Sequence, residues 1–126
     1  MMPPAMRLFA LRGATSIERD EASLILDGTT GLLREILEVN KLTPDDVVSC
    51  IFTCTQDLTA EYPAVAARAM GFNTVPLLCT QEMAVPGSLS RVVRLLMHFY
   101  AEPGHEVRHV YQGDARRLRL DIAGAQ

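Results

Sequence analysis

Runs of residues with strand-like patterning recur along this chain, and stretches with helical spacing separate them. Apolar and polar residues alternate from Met6 to Arg12, and β-branched and small apolar residues dominate Val47 to Thr55. Thr74 to Cys79 is a third run of this kind. Side chains repeat every two residues on a strand and about every 3.6 on a helix, so the pattern predicts strands alternating with helices. We therefore expect an α/β chain (α+β in a looser sense) with one mixed sheet and helices largely on one face.

Three stretches have the spacing of helices. The first begins near Asp20, a plausible N-cap, and the second runs from Pro63 to Gly71. The third follows Ser88, a further N-cap. The apolar stripe of the first comprises Leu24, Leu26, Leu33, Ile36, Leu37 and Val39, and that of the third comprises Leu89, Val92, Val93, Leu96 and Met97.

Two shorter segments complete the predicted order. Thr43-Pro44-Asp45-Asp46 has a capping threonine and a proline at the first helical position, which predicts a short helical turn. Near the end, Val107 to Tyr111 and Arg116 to Leu120 are predicted to pair as a hairpin across Gln112 to Ala115. The element order is then β-α-β-α-β-α-β-β.

The length of 126 residues fits one compact domain, 1–126, with residues 1–5 as a flexible leader and 122–126 as a flexible tail. A thin sheet in so short a chain leaves apolar surface on its second face. We therefore expect copies of the chain to associate as a closed homo-oligomer.

Charge and hydropathy exclude several classes of partner. The formal net charge is −3, whereas nucleic acids and acidic lipid surfaces attract a dense excess of positive charge. No stretch reaches the roughly 18 apolar residues of a membrane helix, and the N-terminus lacks a secretory pattern. We expect no nucleic acid partner, no membrane partner and a cytoplasmic location.

Residues for covalent or metal chemistry are present without a supporting pattern. The three cysteines form an odd number, which disfavours a disulfide framework, and Cys79 has no cysteine-enzyme signature around it. The sequence lacks a His-Glu-x-x-His motif and a glycine-rich phosphate loop. We therefore predict no metal and no cofactor, and a cysteine-dependent hydrolase is a distant alternative.

Arginine is the main cation, since Lys41 is the single lysine among twelve basic residues. A guanidinium binds a carboxylate through two parallel hydrogen bonds and so suits sites for small organic anions. Arg12 ends the first strand, Glu82 follows the third, and Arg94 lies on the predicted third helix. By spacing alone, a solvated surface residue or half of a surface ion pair is a better interpretation of each of them than a ligand-binding residue.

Several separated motifs, in order, resemble the AroH-type chorismate mutases along nearly the whole chain. These motifs are Arg12-Gly13-Ala14-Thr15, Glu18-Arg19-Asp20, Pro44-x-Asp46-Val47-Val48, Thr55-x-Asp57-Leu58, Pro63-Ala64, Arg68, Val75-Pro76, Cys79-x-Gln81-Glu82-Met83, Arg94, Arg108-His109-Val110-Tyr111 and Leu118-Arg119. The resemblance implies a mixed sheet packed on helices, a homotrimer with a barrel-like core, and active sites between subunits. It also implies isomerisation of chorismate to prephenate in phenylalanine and tyrosine biosynthesis, a pericyclic reaction without cofactor or covalent intermediate.

The resemblance also assigns roles. Arg94 would face the ether oxygen and an adjacent carboxylate of chorismate, Glu82 would accept a hydrogen bond from the ring hydroxyl, and Arg12 with Tyr111 would bind the side-chain carboxylate. Leu78, Cys79, Thr80 and Gln81 would line one wall, and Tyr62, Arg68, Leu118 and Arg119 would be peripheral or closing residues. Val65 departs from the pattern, since a relative has lysine there. The main alternative is a non-catalytic trimer that binds a small carboxylate as a regulatory signal.

Overall fold

The computed structural model describes residues 5–118, which form a five-stranded mixed sheet with two helices. In chain order the elements are β1 (Arg7–Ser16), α1 (Ala22–Asn40), β2 (Val47–Cys54), α2 (Pro63–Ala69), β3 (Leu77–Gln81), β4 (Val92–Ala101) and β5 (Val110–Tyr111). Short 3-10 turns occupy Pro44–Asp46 and Gly113–Ala115. No helix in the described part of the chain is long and apolar enough to cross a membrane.

The strand order across the sheet is β3-β2-β4-β1-β5. β4 lies at the centre and pairs antiparallel with both β1 and β2, while the two outer strands, β3 and β5, pair parallel with their neighbours. The longest ladder joins β1 to β4 from Arg7↔Ala101 to Ser16↔Val92. The prediction of a mixed sheet, with the third predicted strand at an edge, is confirmed.

Both helices pack on one face of the sheet, where alternate residues of the three inner strands are buried. From the strands the core receives Leu11, Cys50, Phe52, Val93, Leu95, Met97 and Phe99, and from the helices Ile25, Leu32, Leu33, Ile36, Ala64 and Ala67. Apolar side chains on the opposite face remain in solvent. Leu8 and Tyr100 are each 48% exposed, Leu78 is 60% exposed and Leu96 is 37% exposed. We call this second surface the open face.

The predicted third helix is wrong, because Ser88 and Leu89 lie outside regular structure and the residues from Val92 onward form β4. Val92, Val93, Leu96 and Met97 fit a helical stripe, but alternation continues past them through Phe99 and Ala101. A short apolar run satisfies both periods, and pairing with two neighbouring strands decides in favour of the strand. Arg94 therefore lies on the central strand of the sheet.

The predicted C-terminal hairpin is also wrong. Val110–Tyr111 pairs parallel with β1, and the chain then turns at Gly113, which has a φ of 57°. The Gln112 amide donates to the Ala14 carbonyl and the Asp114 amide to the Ser16 hydroxyl, and the chain continues in the 3-10 turn Gly113–Ala115 instead of reversing beside β5. Residues 116–118 are helical, and the rest of the predicted second strand lies outside the described residues.

Of the three predicted N-caps, Thr43 is confirmed, whereas Asp20 and Ser88 are wrong. The next element after Ser88 is the strand β4 and not a helix. The Thr43 to Asp46 segment forms a capping box, in which the Asp46 carboxylate accepts the Thr43 amide at 2.9 Å. Asp20 is not the cap of α1, since Glu21 takes that position. The Asp20 carboxylate instead accepts the amides of Thr59 and Ala60 at 2.9 and 3.0 Å.

The buried amide of Asn40 ties the end of α1 to the segment before β5. Its Nδ2 donates to the carbonyls of Ile36 and Arg108, each at 2.9 Å, and its Oδ1 accepts the Arg108 amide at 2.9 Å. Asn40 is 2% exposed, so a replacement that cannot bond leaves backbone polar groups without partners in a dry environment. The course of the chain into His109 and Tyr111 depends on these bonds.

We expect Asn40→Ala to lower the free energy of unfolding by about 2 kcal/mol, since the Arg108 amide and carbonyl lose their partner. Urea unfolding at one fixed protein concentration measures this change. Asn73→Ala, at an exposed position, is the matched control and should change the free energy by less than about 0.5 kcal/mol. Equal effects of the two substitutions would contradict the role given to Asn40.

Candidate active site

Two arginines reach the open face from neighbouring strands. Arg12 pairs with Leu96 and Arg94 pairs with Ala14 in the β1–β4 ladder, so both side chains leave the same side of the sheet. They line a cavity of about 430 Å³. Its other lining residues are Gly13, Ile51, Thr53, Glu82, Leu95, Leu96 and Tyr111. We call it the arginine pocket.

Glu82 and Arg94 form a bidentate ion pair in this pocket. The Arg94 Nε donates to Oε1 of Glu82 at 2.7 Å, and Nη2 donates to Oε2 at 2.8 Å. A guanidinium has five N–H donors, so the pair leaves three for a ligand. The Arg94 side chain is 44% exposed and that of Glu82 17%, which places the cation on the solvent side.

Thr53 supports Glu82 from the adjacent strand. Its hydroxyl donates to Oε1 of Glu82 at 2.5 Å, and Thr53 lies directly opposite Arg94 in the β2–β4 ladder. Oε1 thus accepts two hydrogen bonds and Oε2 accepts one. Because a carboxylate oxygen has two lone pairs, Oε2 retains a position for a donor on a ligand.

The ionised form of Glu82 is favoured. Burial is the largest influence and raises the pKa of this carboxyl, but the hydrogen bonds from Arg94 and Thr53 and the charge of Arg94 together outweigh it. The net result is a pKa below the ordinary value for glutamate. At neutral pH the pocket therefore presents a carboxylate acceptor beside a guanidinium donor.

Backbone contacts fix the position of Arg12. Its amide donates to Nδ1 of His109 at 2.9 Å, and burial, followed by the charge of Arg12, lowers the pKa of His109. The next residue, Gly13, packs closely against α1. A Cβ at this position would lie 2.7 Å from Cδ1 of Ile36, too close for van der Waals contact. Tyr111, on β5, pairs with Ala14 and completes this side of the pocket.

The other predicted site residues fall into separate groups. Tyr62, Cys79, Thr80 and Gln81 line a second cavity of about 400 Å³ beside edge strand β3, which we call the edge pocket. Leu118 lines a cavity of about 280 Å³ on the far side of the Glu82–Arg94 pair. Leu78 and Arg68 are exposed and line none of these three cavities, and Arg119 lies outside the described residues.

Thr53 and the apolar floor of the arginine pocket were missed at the level of sequence. Ile51 and Thr53 alternate with buried Cys50, Phe52 and Cys54 on β2, which assigns them to the open face. This alternation could have predicted that the Thr53 hydroxyl lies on the same face as Arg94. Glu82 was placed beyond the third strand, as observed, but its hydroxyl partner was not identified.

The contacts of the cysteines and histidines do not assemble a thiol nucleophile. Burial, with a smaller contribution from Cys79, raises the pKa of Cys50 to about 12 and that of Cys54 to about 11, so both remain protonated. The histidines bond elsewhere: His98 to Ser49, His105 to Asn40, and His109 to the Arg12 amide. Within residues 5–118 no three side chains of His, Cys, Asp or Glu are grouped to hold a metal ion.

Comparisons with known proteins agree on one family. The family model described as chorismate mutase type I matches residues 8–122. The chain is 44% identical to chorismate mutase AroH of Thermus thermophilus, covering 92% of this chain and 97% of the relative. It is 40% identical to chorismate mutase AroH of Bacillus subtilis, covering 94% of each. A solved chorismate mutase from Clostridium thermocellum matches with a TM-score of 0.82 and 41% identity, covering 86% of this chain and 98% of that one.

We expect Thr53→Val to raise the pKa of Glu82, because the hydroxyl bond that favours the carboxylate is lost while burial remains. A carbon-13 titration of the Glu82 carboxyl by NMR measures the change. The wild-type interaction stabilises the fold above the unfolded-state pKa of glutamate and is lost as the pH falls through the lower folded-state pKa. The stability difference between wild type and variant should therefore disappear in acid.

The matched control is Ser49→Ala, which removes a hydroxyl from the same strand and face outside the arginine pocket. It should leave the Glu82 titration unchanged. An unchanged or lower pKa of Glu82 in Thr53→Val would show that Thr53 does not support the carboxylate.

Proposed function

Because the chain belongs to the type I chorismate mutase family, we propose that its arginine pocket catalyses the rearrangement of chorismate to prephenate, a step toward phenylalanine and tyrosine. The observation that carries this assignment is the bidentate Arg94–Glu82 pair, with Arg12 and Tyr111 in the same cavity. The pocket combines cations for a dianion with an acceptor for a hydroxyl.

The chemistry requires a folded substrate and a cation at the right atom. Chorismate carries two carboxylates, and its ether carbon–oxygen bond breaks while a carbon–carbon bond forms. Negative charge develops on the ether oxygen, where a preorganised donor is most effective. Arg94 has donors left beyond its pair with Glu82, and we assign these to the ether oxygen and the neighbouring carboxylate.

The remaining groups orient the substrate. Glu82 accepts the ring hydroxyl at Oε2, and Arg12 with Tyr111 holds the side-chain carboxylate. Ile51 and Leu96 form an apolar floor that favours the compact conformer. No proton is transferred in the rearrangement, so none of these residues acts as a general acid or base.

We assign the edge pocket to the site of a neighbouring copy. Gln81 and Glu82 are consecutive at the end of β3, so their side chains leave opposite faces, and each lines a different cavity. A single ligand contacts the residues of both the arginine pocket and the edge pocket only if the two pockets come from different chains. Exposed Leu8, Leu96 and Tyr100 on the open face supply apolar surface for that contact. A homotrimer with three sites between subunits satisfies these requirements.

The peripheral residues take supporting roles in this proposal. Tyr62, Cys79 and Thr80 belong to the wall supplied by the neighbour, as does the main chain from Leu78 to Gln81. Arg68, exposed in the last turn of α2, offers a cation at the rim, whereas Val65 contributes none. Leu118 lines a cavity beside the Glu82–Arg94 pair. For Arg119 we propose a peripheral or closing role on the family resemblance alone.

Organisation and location complete the proposal. The family match over residues 8–122 supports one domain. The three cysteines are free thiols, which fits the reducing environment of the cytoplasm. We keep as the second candidate the non-catalytic trimer, which binds a small carboxylate as a regulatory signal without converting it.

Addition of chorismate to the purified protein, with prephenate followed as the product, tests the function directly. We expect Arg94→Ala to lower kcat by about 10²–10³, the usual effect of removing one preorganised donor at developing charge. Arg34→Ala, an exposed arginine on α1, is the matched control and should keep the wild-type rate. A near-normal rate in Arg94→Ala would overturn the assignment, and binding without turnover in the wild type would favour the second candidate.

Mixed assembly tests the site between subunits. Arg94→Ala disables the arginine pocket, and Gln81→Trp, on the opposite face of β3 from Glu82, obstructs the edge pocket, so each variant alone should be nearly inactive. Co-refolding equal amounts of the two variants should restore about one quarter of the wild-type activity. With random assembly, about one quarter of the interfaces combine an intact arginine pocket with an intact edge pocket. No recovery, with mixed oligomers demonstrated by mass spectrometry, would place the whole site within one chain.

A further inference from the structure

The backbone at the entry to β4 has an unusual conformation. Arg91, directly before the strand, has a φ of 50°, in the left-handed region that residues with a Cβ rarely adopt. Arg94 follows three residues later. A non-glycine residue persists in this conformation only when its surroundings hold it there.

The Asp57 carboxylate holds the Arg91 backbone. The Arg91 amide donates to both carboxylate oxygens, at 3.1 Å to Oδ1 and 3.0 Å to Oδ2. The Arg91 Nε donates to the Ile17 carbonyl at 3.1 Å, and the Ile17 amide donates to the Arg91 carbonyl at 2.7 Å. The residue is thus fixed from the loop after β2 and from the end of β1.

Thr55 holds the next residue, Val92, through a similar set of hydrogen bonds. Its hydroxyl donates to Oδ1 of Asp57 at 2.5 Å and accepts the Val92 amide at 3.0 Å. The Thr55 amide donates to the Val92 carbonyl at 3.1 Å. Thr55 and Asp57 together take the first two amides of the segment that leads into Arg94.

We propose that Asp57 is a positioning residue, whose carboxylate holds Arg91 in its left-handed conformation and thereby sets the place of Arg94 against Glu82. A strand is stiff, so a rotation of the backbone at its first residue moves the side chains that follow. The Arg94 Nε and Nη2 must meet two oxygens of Glu82 at 2.7 and 2.8 Å, which leaves little tolerance for such a shift. This inference rests on the role proposed above for Arg94.

A positioning role predicts a loss in kcat without a comparable change in KM. Displacement of a catalytic group by about 1 Å costs up to about 10²-fold, and we expect Asp57→Ala to lower kcat by about 10- to 100-fold. Asp57→Asn retains an oxygen acceptor for the Arg91 amide and should recover most of the activity. Asp46→Ala is the matched control, since it removes a carboxylate that caps a backbone amide before β2, and it should leave kcat within about 3-fold of wild type.

Two double-mutant cycles separate positioning from general stability. In an Arg91→Gly background Asp57→Ala should cost much less in kcat, because glycine adopts a positive φ without support. In an Arg94→Ala background Asp57→Ala should add almost nothing. Both outcomes together, with circular dichroism showing that every variant is folded, would support the positioning role of Asp57.

A wild-type kcat in Asp57→Ala would overturn the positioning role, and so would an equal loss whether arginine or glycine occupies position 91. The failure of the proposed function has a different signature, since Arg94→Ala itself would then keep its activity. An impaired Arg94→Ala with an unaffected Asp57→Ala sinks the positioning role alone.

Discussion

The pairing of β1 with β4 is the constraint on which the rest of the structure depends. Ten residue pairs from Arg7↔Ala101 to Ser16↔Val92 place two long strands in one register. On one side that register gathers Leu11, Met97 and Phe99 into the core. On the other side it places Arg12 and Arg94 on the same surface. A slip by one residue would exchange the two faces, so the core that buries the apolar residues also specifies where the cations lie.

The short outer strands complete the pocket on this frame. β3 brings Glu82 to the end of β2, where Thr53 and Arg94 meet it, and β5 brings Tyr111 beside Ala14. Each of these contacts joins residues distant in sequence. The site is preorganised because strand pairing and the contacts of Asp57 and His109 fix its parts before a ligand enters.

The charged residues of the arginine pocket are easier to predict from the sequence than the elements that carry them. Arg12, Glu82 and Arg94 are brought together as the motifs suggested, although Arg94 was assigned to a helix. That error has a physical cause, since Val92, Val93, Leu96 and Met97 fit a 3.6-residue period as long as Phe99 and Ala101 are left out. Aspartate favours the N-cap position, but the Asp20 carboxylate bonds to the amides of Thr59 and Ala60 instead. Local propensity contains no information about such distant partners. It therefore could not identify the bond from Thr53 to Glu82 either.

The internal neutrality of the Glu82–Arg94 pair has a consequence for selectivity. Because the Glu82 carboxylate already neutralises the Arg94 guanidinium, a free inorganic anion such as phosphate or chloride must compete with Glu82 to bind it. The pair therefore binds such anions weakly. A ligand that offers Glu82 a hydroxyl and Arg94 an oxygen together matches both members without separating them. Repulsion between Glu82 and simple anions therefore adds to the attraction from Arg94 in favouring a ligand that carries both groups.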